Sequence, residues 1–364
     1  MDPRIETIGE NGDILNFTLS GVNMSLANAI RRTILSDIPT VVFKTAPHEE
    51  NKAVIHVNTS RFNNEIIKQR LSCIPIHITD MDMPLKNYLM EVNVENLTDT
   101  IIYVTTADFK IKNLITNEYL SEKDTRGIFP PCDIGGQFID FVRLRPKISD
   151  EILGESLHLT CEFSISTAKD SGMFNVVSTC AYGYTVDDVR MEIELGKKRQ
   201  EWKDQNMDVE FETANWRLLD GQRITKKDSF DFAIQTVGVF TNQELVHKSC
   251  DILVNLLRNI DTLIETDELQ INISDNTMKN SYDVILKNED YTLGKMLEFI
   301  MYNKFFEGSE ILSYCGFKKM HPHDADSIIR IAYKEQTDKS SIKGHLKMCV
   351  DAAIQIYQKI KKSI

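Results

Sequence analysis

Apolar and polar positions along this chain follow two rhythms. From Ile14 to Leu19 the residues alternate as in a strand, and Gly21 breaks the run. Ser25 is then placed as a helix N-cap, with Leu26, Ile30 and Ile34 following at a spacing of four, so that they share one face. Pro39 ends the helix by pushing the residue before it out of helical geometry. Two arginines, Arg31 and Arg32, sit in the middle of this apolar stretch and need an explanation. Residues 46 to about 169 change character: runs beginning at Ala53, Tyr88, Ile101, Phe138 and Leu157 are rich in β-branched residues and divided by Asn, Asp, Gly and Pro, which predicts a strand-dominated segment. One short helix, residues 62–73, interrupts it. Between about 186 and 229 the chain turns polar and reads as a surface excursion pinned by Trp202 and Trp216.

A strand over 230–238 follows. Thr241 and Glu244 then have the spacing of a capping box, and Val246, Leu253, Leu256, Leu257, Ile260 and Ile264 extend an apolar stripe along a long amphipathic helix. The remainder repeats this grammar in miniature. A strand pair is expected near 269–274 and 282–287, a helix over 291–303, a strand over 327–334 and a closing helix with Ile342, Leu346, Val350, Ala353, Tyr357 and Ile360 on one side.

The two halves share more than grammar. Setting Ser25 over Thr292 also aligns Leu26 with Leu293, Ala27 with Gly294, Ile30 with Leu297 and Ile34 with Met301. A small residue just after a leucine lets another helix approach closely, and the equivalent helix of the other half is the natural partner. About four apolar side chains from each helix, at roughly 1.5–3 kcal/mol apiece, give a gross gain of about 10–20 kcal/mol. Separate chains would lose about 4–15 kcal/mol of translational and rotational freedom on pairing, a cost that a covalent tether largely removes. The pattern therefore predicts an intramolecular pair.

Composition narrows the function. The chain has 364 residues, enough for two or three domains, and a formal net charge of -12, which argues against gripping phosphate backbone as its main task. Its amino terminus is acidic where a secretory signal would be cationic, and no apolar run reaches the roughly 18 residues that would span a bilayer. The 7 cysteines are odd in number and widely spaced, as expected of reduced intracellular thiols.

At this point the motifs become recognisable. The stretch VNMSLANAIRRTILSDIPTVVF, from Val22, closely resembles the signature of the α-like assembly subunits of multisubunit RNA polymerases: the third-largest subunit of eukaryotic polymerase II, its archaeal counterpart and the amino-terminal domain of bacterial α. FNNEIIKQRLSCIPI, from Phe62, and FDFAIQTVGVFTNQEL, from Phe230, look like further motifs of that family. EDYTLGKMLEFIMYN, from Glu289, with GFKKMHPHDADSIIRI, from Gly316, resembles the small partner subunit of archaeal and eukaryotic polymerases. Fused subunits of this kind occur in polymerases of large cytoplasmic DNA viruses, so the resemblance implies a viral source. It then implies the host cytoplasm (the virus factory) and the virion as sites of action, without ruling out the nucleus.

The resemblance implies an α+β fold. A split dimerisation domain, 1–45 with 170–265, is interrupted by an inserted strand-rich domain, 46–169. A second, smaller α+β unit, 266–364, completes an intramolecular pseudo-heterodimer. It implies a noncatalytic platform for the largest and second-largest polymerase subunits and for small assembly subunits, with DNA reached only through the complex and no membrane. Arg31 and Arg32 fall on the family's arginine pair, which looks toward the second-largest subunit, since a guanidinium fork suits carboxylates or carbonyls of a partner. Asn28, Glu65 and Arg70 join them as expected partner-binding positions. The plainer alternative pairs each arginine with an acid of its own chain, such as Asp37, and makes Glu65 and Arg70 an intrachain salt bridge. The helix residues Leu26, Ala27, Ile30, Ile34, Leu293, Gly294, Leu297 and Met301 are expected in the dimer seam.

Two departures limit the transfer. Many relatives hold zinc or an iron–sulfur centre in the inserted domain, whereas here only Cys73 and His77 are offered locally, so no metal and no cofactor are expected. The Gly-Lys-Glu-His-like turn of relatives is replaced by residues 166–178, around Lys169. The best case for catalysis is HPHDAD, where His321 and His323 could serve a metal-dependent hydrolase. The known His-x-His-x-Asp-His pattern would need Asp at 325 and His at 326, where this chain has Ala325 and Asp326, and Pro322 suits a turn. No catalytic residue is therefore assigned.

Overall fold

The computed structural model describes residues 1–149, 151 and 153–364. The chain opens with β1 (Arg4–Asn11), β2 (Ile14–Ser20), α1 (Met24–Ser36), β3 (Thr40–Val42), β4 (Ala53–Asn58), α2 (Asn64–Ser72), β5 (Tyr88–Glu95), β6 (Ile102–Thr105) and β7 (Lys110–Asn113). It continues through α3 (Glu122–Ile128), β8 (Asp140–Leu144), β9 (Ser156–Glu162), β10 (Ser164–Ser166), β11 (Val177–Val186), α4 (Asp188–Asp204), α5 (Val209–Leu218) and β12 (Thr225–Thr236). The last part comprises α6 (Asn242–Glu265), β13 (Ile271–Ile273), β14 (Ser281–Leu286), α7 (Tyr291–Met301), β15 (Leu312–Lys318), β16 (Ser327–Tyr333) and α8 (Lys339–Ser363). This is a mixed α and β architecture with several antiparallel sheets.

Two compact units divide the chain. The first joins Met1–Ile34, Thr179–Gln235 and Asn242–Ile364; the second joins Leu35–Ser178 and Thr236–Thr241. The breaks fall near residues 34 and 178, where the sequence places the ends of the inserted domain at 46 and 169. Residues 266–364 belong to the same compact unit as the N-terminal helix.

In the first unit one sheet runs β1-β2-β12-β11 and another β13-β14-β16-β15. Phe17 pairs in register with Phe232 across β2 and β12, and their rings stack with centroids 5.0 Å apart. Aromatic pairs of this kind add to the area they bury. The long helices α6 and α8 run antiparallel, because Lys343 near the start of α8 meets Asp267 while Lys361 near its end meets Asp251 at 2.6 Å. Lys347 lies between them, 2.5 Å from Glu265. Along these helices Leu253, Leu257, Ile260, Leu346, Val350 and Tyr357 are buried. The polar stretch after β11 is a helical pair, α4 and α5, with a small core of Leu195, Trp202 and Trp216. The tryptophans do pin it.

In the second unit a four-stranded sheet, β4-β9-β5-β7, is joined by the ribbons β6-β8 and β3-β10. Its core gathers Phe43, Ile67, Leu71, Phe109, Phe129, Phe141 and the inward residues of β5 and β9. Asn63 caps α2 by accepting the Ile66 amide, and at the other end Ser72 donates to the Phe43 carbonyl at 2.8 Å.

Candidate functional site

The N-terminal helix explains its own arginines. Leu26, Ala27, Ala29, Ile30, Thr33 and Ile34 are buried, which leaves Asn28, Arg31 and Arg32, at spacings of three and four, on the half-buried opposite face. The helix starts at Met24, two residues earlier than Ser25 as cap would allow. Its cap is Asn23, whose Oδ1 accepts the Ser25 amide at 2.9 Å and whose carbonyl accepts the Leu26 and Ala27 amides. Arg31 donates from Nε to Asn28 Oδ1 at 2.9 Å. Its charge also acts on β11, where burial pushes the Cys180 thiol up to about 12 and raises Tyr182, with Arg31 opposing both.

Arg32 reaches 258 residues along the chain. Its Nη2 lies 2.6 Å from Asp290 Oδ2, and its Nε donates to Thr292 Oγ1 at 2.8 Å. Asp290 is itself the N-cap of α7, accepting the Thr292 amide at 2.8 Å. One guanidinium therefore grips both the cap and the first turn of a helix in the rear of the sequence. An acid of its own chain, Asp290, pairs with Arg32, whose side chain is still 36% exposed. Thr292 is not the cap of α7; its hydroxyl receives Arg32 instead.

The repeat between the two helices gains from this correction. Asn23 stands two residues before Ser25 and Asp290 two before Thr292, so the same alignment carries the true caps into register. Leu26, Ala27, Ile30, Ile34, Leu293, Gly294, Leu297 and Met301 are all buried. The smallness of Gly294, however, serves a different neighbour. A Cβ there would fall 1.9 Å from Cε2 of Phe317 on β15, so the glycine makes room for an aromatic ring and not for a helix. A second link runs from α8, where Tyr357 donates its hydroxyl to the Leu26 carbonyl at 3.3 Å. Burial raises the Tyr357 phenol well above its ordinary value, keeping it a donor.

The candidates of the second unit separate. Glu65 is mostly exposed and lies 3.8 Å from Lys68, while Arg70 donates to the Phe141 carbonyl at 2.7 Å and the Asp140 carbonyl at 2.8 Å, with its guanidinium over Phe62. They do not form the expected salt bridge, because the backbone carbonyls at the start of β8 offer Arg70 two acceptors. Lys169, in the turn that replaces the relatives' motif, donates its amide to the Ser36 carbonyl at 2.8 Å.

The hydrolase alternative loses its geometry. His321 Nδ1 accepts the His323 amide at 3.1 Å, Asp324 accepts the His321 amide at 2.9 Å and Asp326 accepts the Asn288 amide at 3.0 Å, so these side chains are engaged by nearby backbone amides. Among the described residues no group of three or more His, Cys, Asp or Glu side chains could hold a metal ion. Among those residues, too, no helix is long and apolar enough to cross a membrane.

Comparison with known families adds the decisive observation. Residues 16–257 match the model of the RNA polymerase Rpb3/Rpb11 dimerisation domain. The chain belongs to this family. Among related proteins, the human DNA-directed RNA polymerases I and III subunit RPAC1 is 22% identical over 314 residues, covering 74% of this chain and 86% of the human protein. The DNA-directed RNA polymerase subunit Rpo3 of Pyrococcus furiosus is 30% identical over 105 residues, 27% of this chain and 37% of the archaeal one. That of Picrophilus torridus is 24% identical over 185 residues, 50% and 63% of the two chains. The Rpb3/Rpb11 match spans α1 with its arginines and ends within α6; the Asp290 cap and α8 lie beyond it.

Proposed function

We propose that this chain is a noncatalytic assembly subunit of a DNA-directed RNA polymerase in which a large and a small dimerisation partner are joined in one polypeptide. On this reading 1–45 and 170–265 form the large partner, 46–169 its inserted domain and 266–364 the small partner. Membership of the Rpb3/Rpb11 family supports the polymerase setting. The observation that carries the fusion is the Arg32–Asp290–Thr292 grip, by which the front helix holds the start of its counterpart in the rear. The antiparallel α6 and α8, with acids on one and lysines on the other, support the same pairing.

The work of such a subunit is geometric. A covalently joined pair forms at high effective concentration and presents a preformed surface on which the largest and second-largest subunits, which carry nucleotidyl transfer, come into register. Asn28 and Arg31 on the outer face of α1, with Glu65 and Arg70, are the proposed points of contact. The resemblance to fused viral subunits extends the proposal to a polymerase of a large DNA virus, acting in the host cytoplasm and packaged in the virion.

Two experiments test this. Affinity purification of the tagged full chain from its native cells should bring down both large polymerase subunits; recovery of the chain alone would make it a stand-alone scaffold. Expressed separately, 1–265 and 266–364 should each be insoluble and become soluble when made together. If each folds alone and they fail to associate, the fused-partner reading is wrong.

A further inference from the structure

The second unit holds a cavity of about 430 Å³ between the start of β7 and α3. That volume lies in the range of ligand-binding pockets, roughly 300–1,000 Å³. Phe109, Leu120 and Phe129 line its apolar part, with Phe109 and Phe129 meeting edge to face at 5.2 Å. Lys110, Tyr119 and Arg126 line its polar side. The Tyr119 ring is held in place: its hydroxyl donates to Glu91 Oε2 at 2.5 Å, and Glu91 Oε1 lies 3.1 Å from His158 Nε2. The ammonium groups of Lys110 and Lys112 stand 5.9 and 6.0 Å from the centre of that ring.

Of the acids nearby, four are engaged in internal bonds and keep their charge, and Glu118 is exposed beside Tyr119. Asp108 accepts the Thr105 amide at 2.8 Å, Asp124 accepts the Ser121 hydroxyl at 2.6 Å, Glu91 is shared by Tyr119 and His158, and Glu122 pairs with Arg126. Lys110 and Lys112 stand over the aromatic ring, and Lys112 acts on Glu91 only through its charge. The cavity itself is lined by two cations, Lys110 and Arg126, against one acid, Glu122, beside its aromatic rings, an arrangement complementary to an aromatic group carried beside negative charge.

We propose that this cavity docks an aromatic side chain presented by an acidic segment of a partner protein. Aromatic anchors seated in preformed pockets dominate binding at protein interfaces, and flanking acids would meet Lys110, Lys112 and the outer side of Arg126. The proposal concerns the second unit alone and stands whether or not the chain works in a polymerase.

The test uses the purified full chain and a synthetic peptide, acetyl-Asp-Glu-Trp-Glu-Asp-amide, titrated by calorimetry. Saturable binding is expected, weakened at least about tenfold by replacing the peptide tryptophan with alanine and by about the same factor in the A107W variant, where Ala107 lines the cavity and the indole would fill it. The surface variant K110E/K112E, whose thermal midpoint should match the parent, should lose binding to a similar degree and guards against A107W failing to fold. No binding at about 1 mM peptide, a dissociation constant far weaker than a specific anchor gives, overturns the proposal. So does binding that ignores the charge variant, or indole-3-acetate binding as tightly as the peptide, which would mark a small-molecule site.

Discussion

Replacing Arg32 with alanine removes two charge-assisted hydrogen bonds, to Asp290 at 2.6 Å and to Thr292 at 2.8 Å. Such bonds contribute about 1.5–3 kcal/mol each when buried. Here the Arg32 side chain is 36% exposed and that of Asp290 33%, so solvent screening brings the expected loss for the pair to about 1–2 kcal/mol. For a unit of this size that corresponds to a fall in melting temperature of roughly 2–8 °C, followed by circular dichroism. Asp290→Ala should cost more, about 2–3 kcal/mol, because it also uncaps α7. The decisive quantity is the coupling in the R32A/D290A double-mutant cycle, expected near 1 kcal/mol in urea unfolding. Arg32→Lys should restore less than half, since a compact ammonium cannot span both acceptors. If the two single substitutions simply add, within about 0.3 kcal/mol, the two side chains do not act together and the grip contributes nothing.

Three further outcomes are expected. Asp283 and Arg330 form a bidentate pair across β14 and β16, with both bonds at 2.7 Å, and this pairing holds the Asp283 carboxyl below its usual range. A depressed carboxylate stabilises the fold above its unfolded value and loses that effect as pH falls through about 4 and below, so D283N should cost about 2 kcal/mol at neutral pH and flatten the acid limb of a stability–pH curve. Burial also pushes His345, packed against Phe305 and bonded to Tyr333 at 3.0 Å, and His77 below the ordinary histidine value. Their neutral forms favour the fold, so stability should decline as pH drops from about 7 toward 5. H345Q should reduce that slope, and an unchanged slope in H345Q/H77Q would discard the reasoning. Finally, G294A sets a methyl against the Phe317 ring and should cost about 1–2 kcal/mol, the clash outweighing the ~1 kcal/mol that alanine gains in a helix. A G294A/F317L variant should recover most of the loss, as measured by thermal unfolding.

Much of the fold could be read from apolar spacing because the buried faces are regular. The residues Leu26, Ile30 and Ile34 on α1, and the stripe from Val246 to Ile264 on α6, bury as their periods require. What escaped had no period to read. Strand β1 is exposed along nearly all its length, so nothing forces alternation on it, and α4 buries only Leu195 and Trp202 while its Val189 and Ile193 stay exposed. Strand β15 buries Leu312 and Cys315 at a spacing of three, which does not alternate as a strand pattern would. At the candidate site, the outward face of α1 was legible and the partner of Arg32 was not, since a contact 258 residues away leaves no local trace. One signal was there: extending the internal repeat two positions upstream matches Asn23 with Asp290, two residue types that share the capping role.

The small core between α4 and α5 has a practical consequence. The chain's 2 tryptophans, Trp202 and Trp216, both belong to it. Intrinsic indole emission will report the melting of this one satellite hairpin while the cores under the three four-stranded sheets go unseen. A tryptophan-fluorescence denaturation curve of this protein would describe its least representative part.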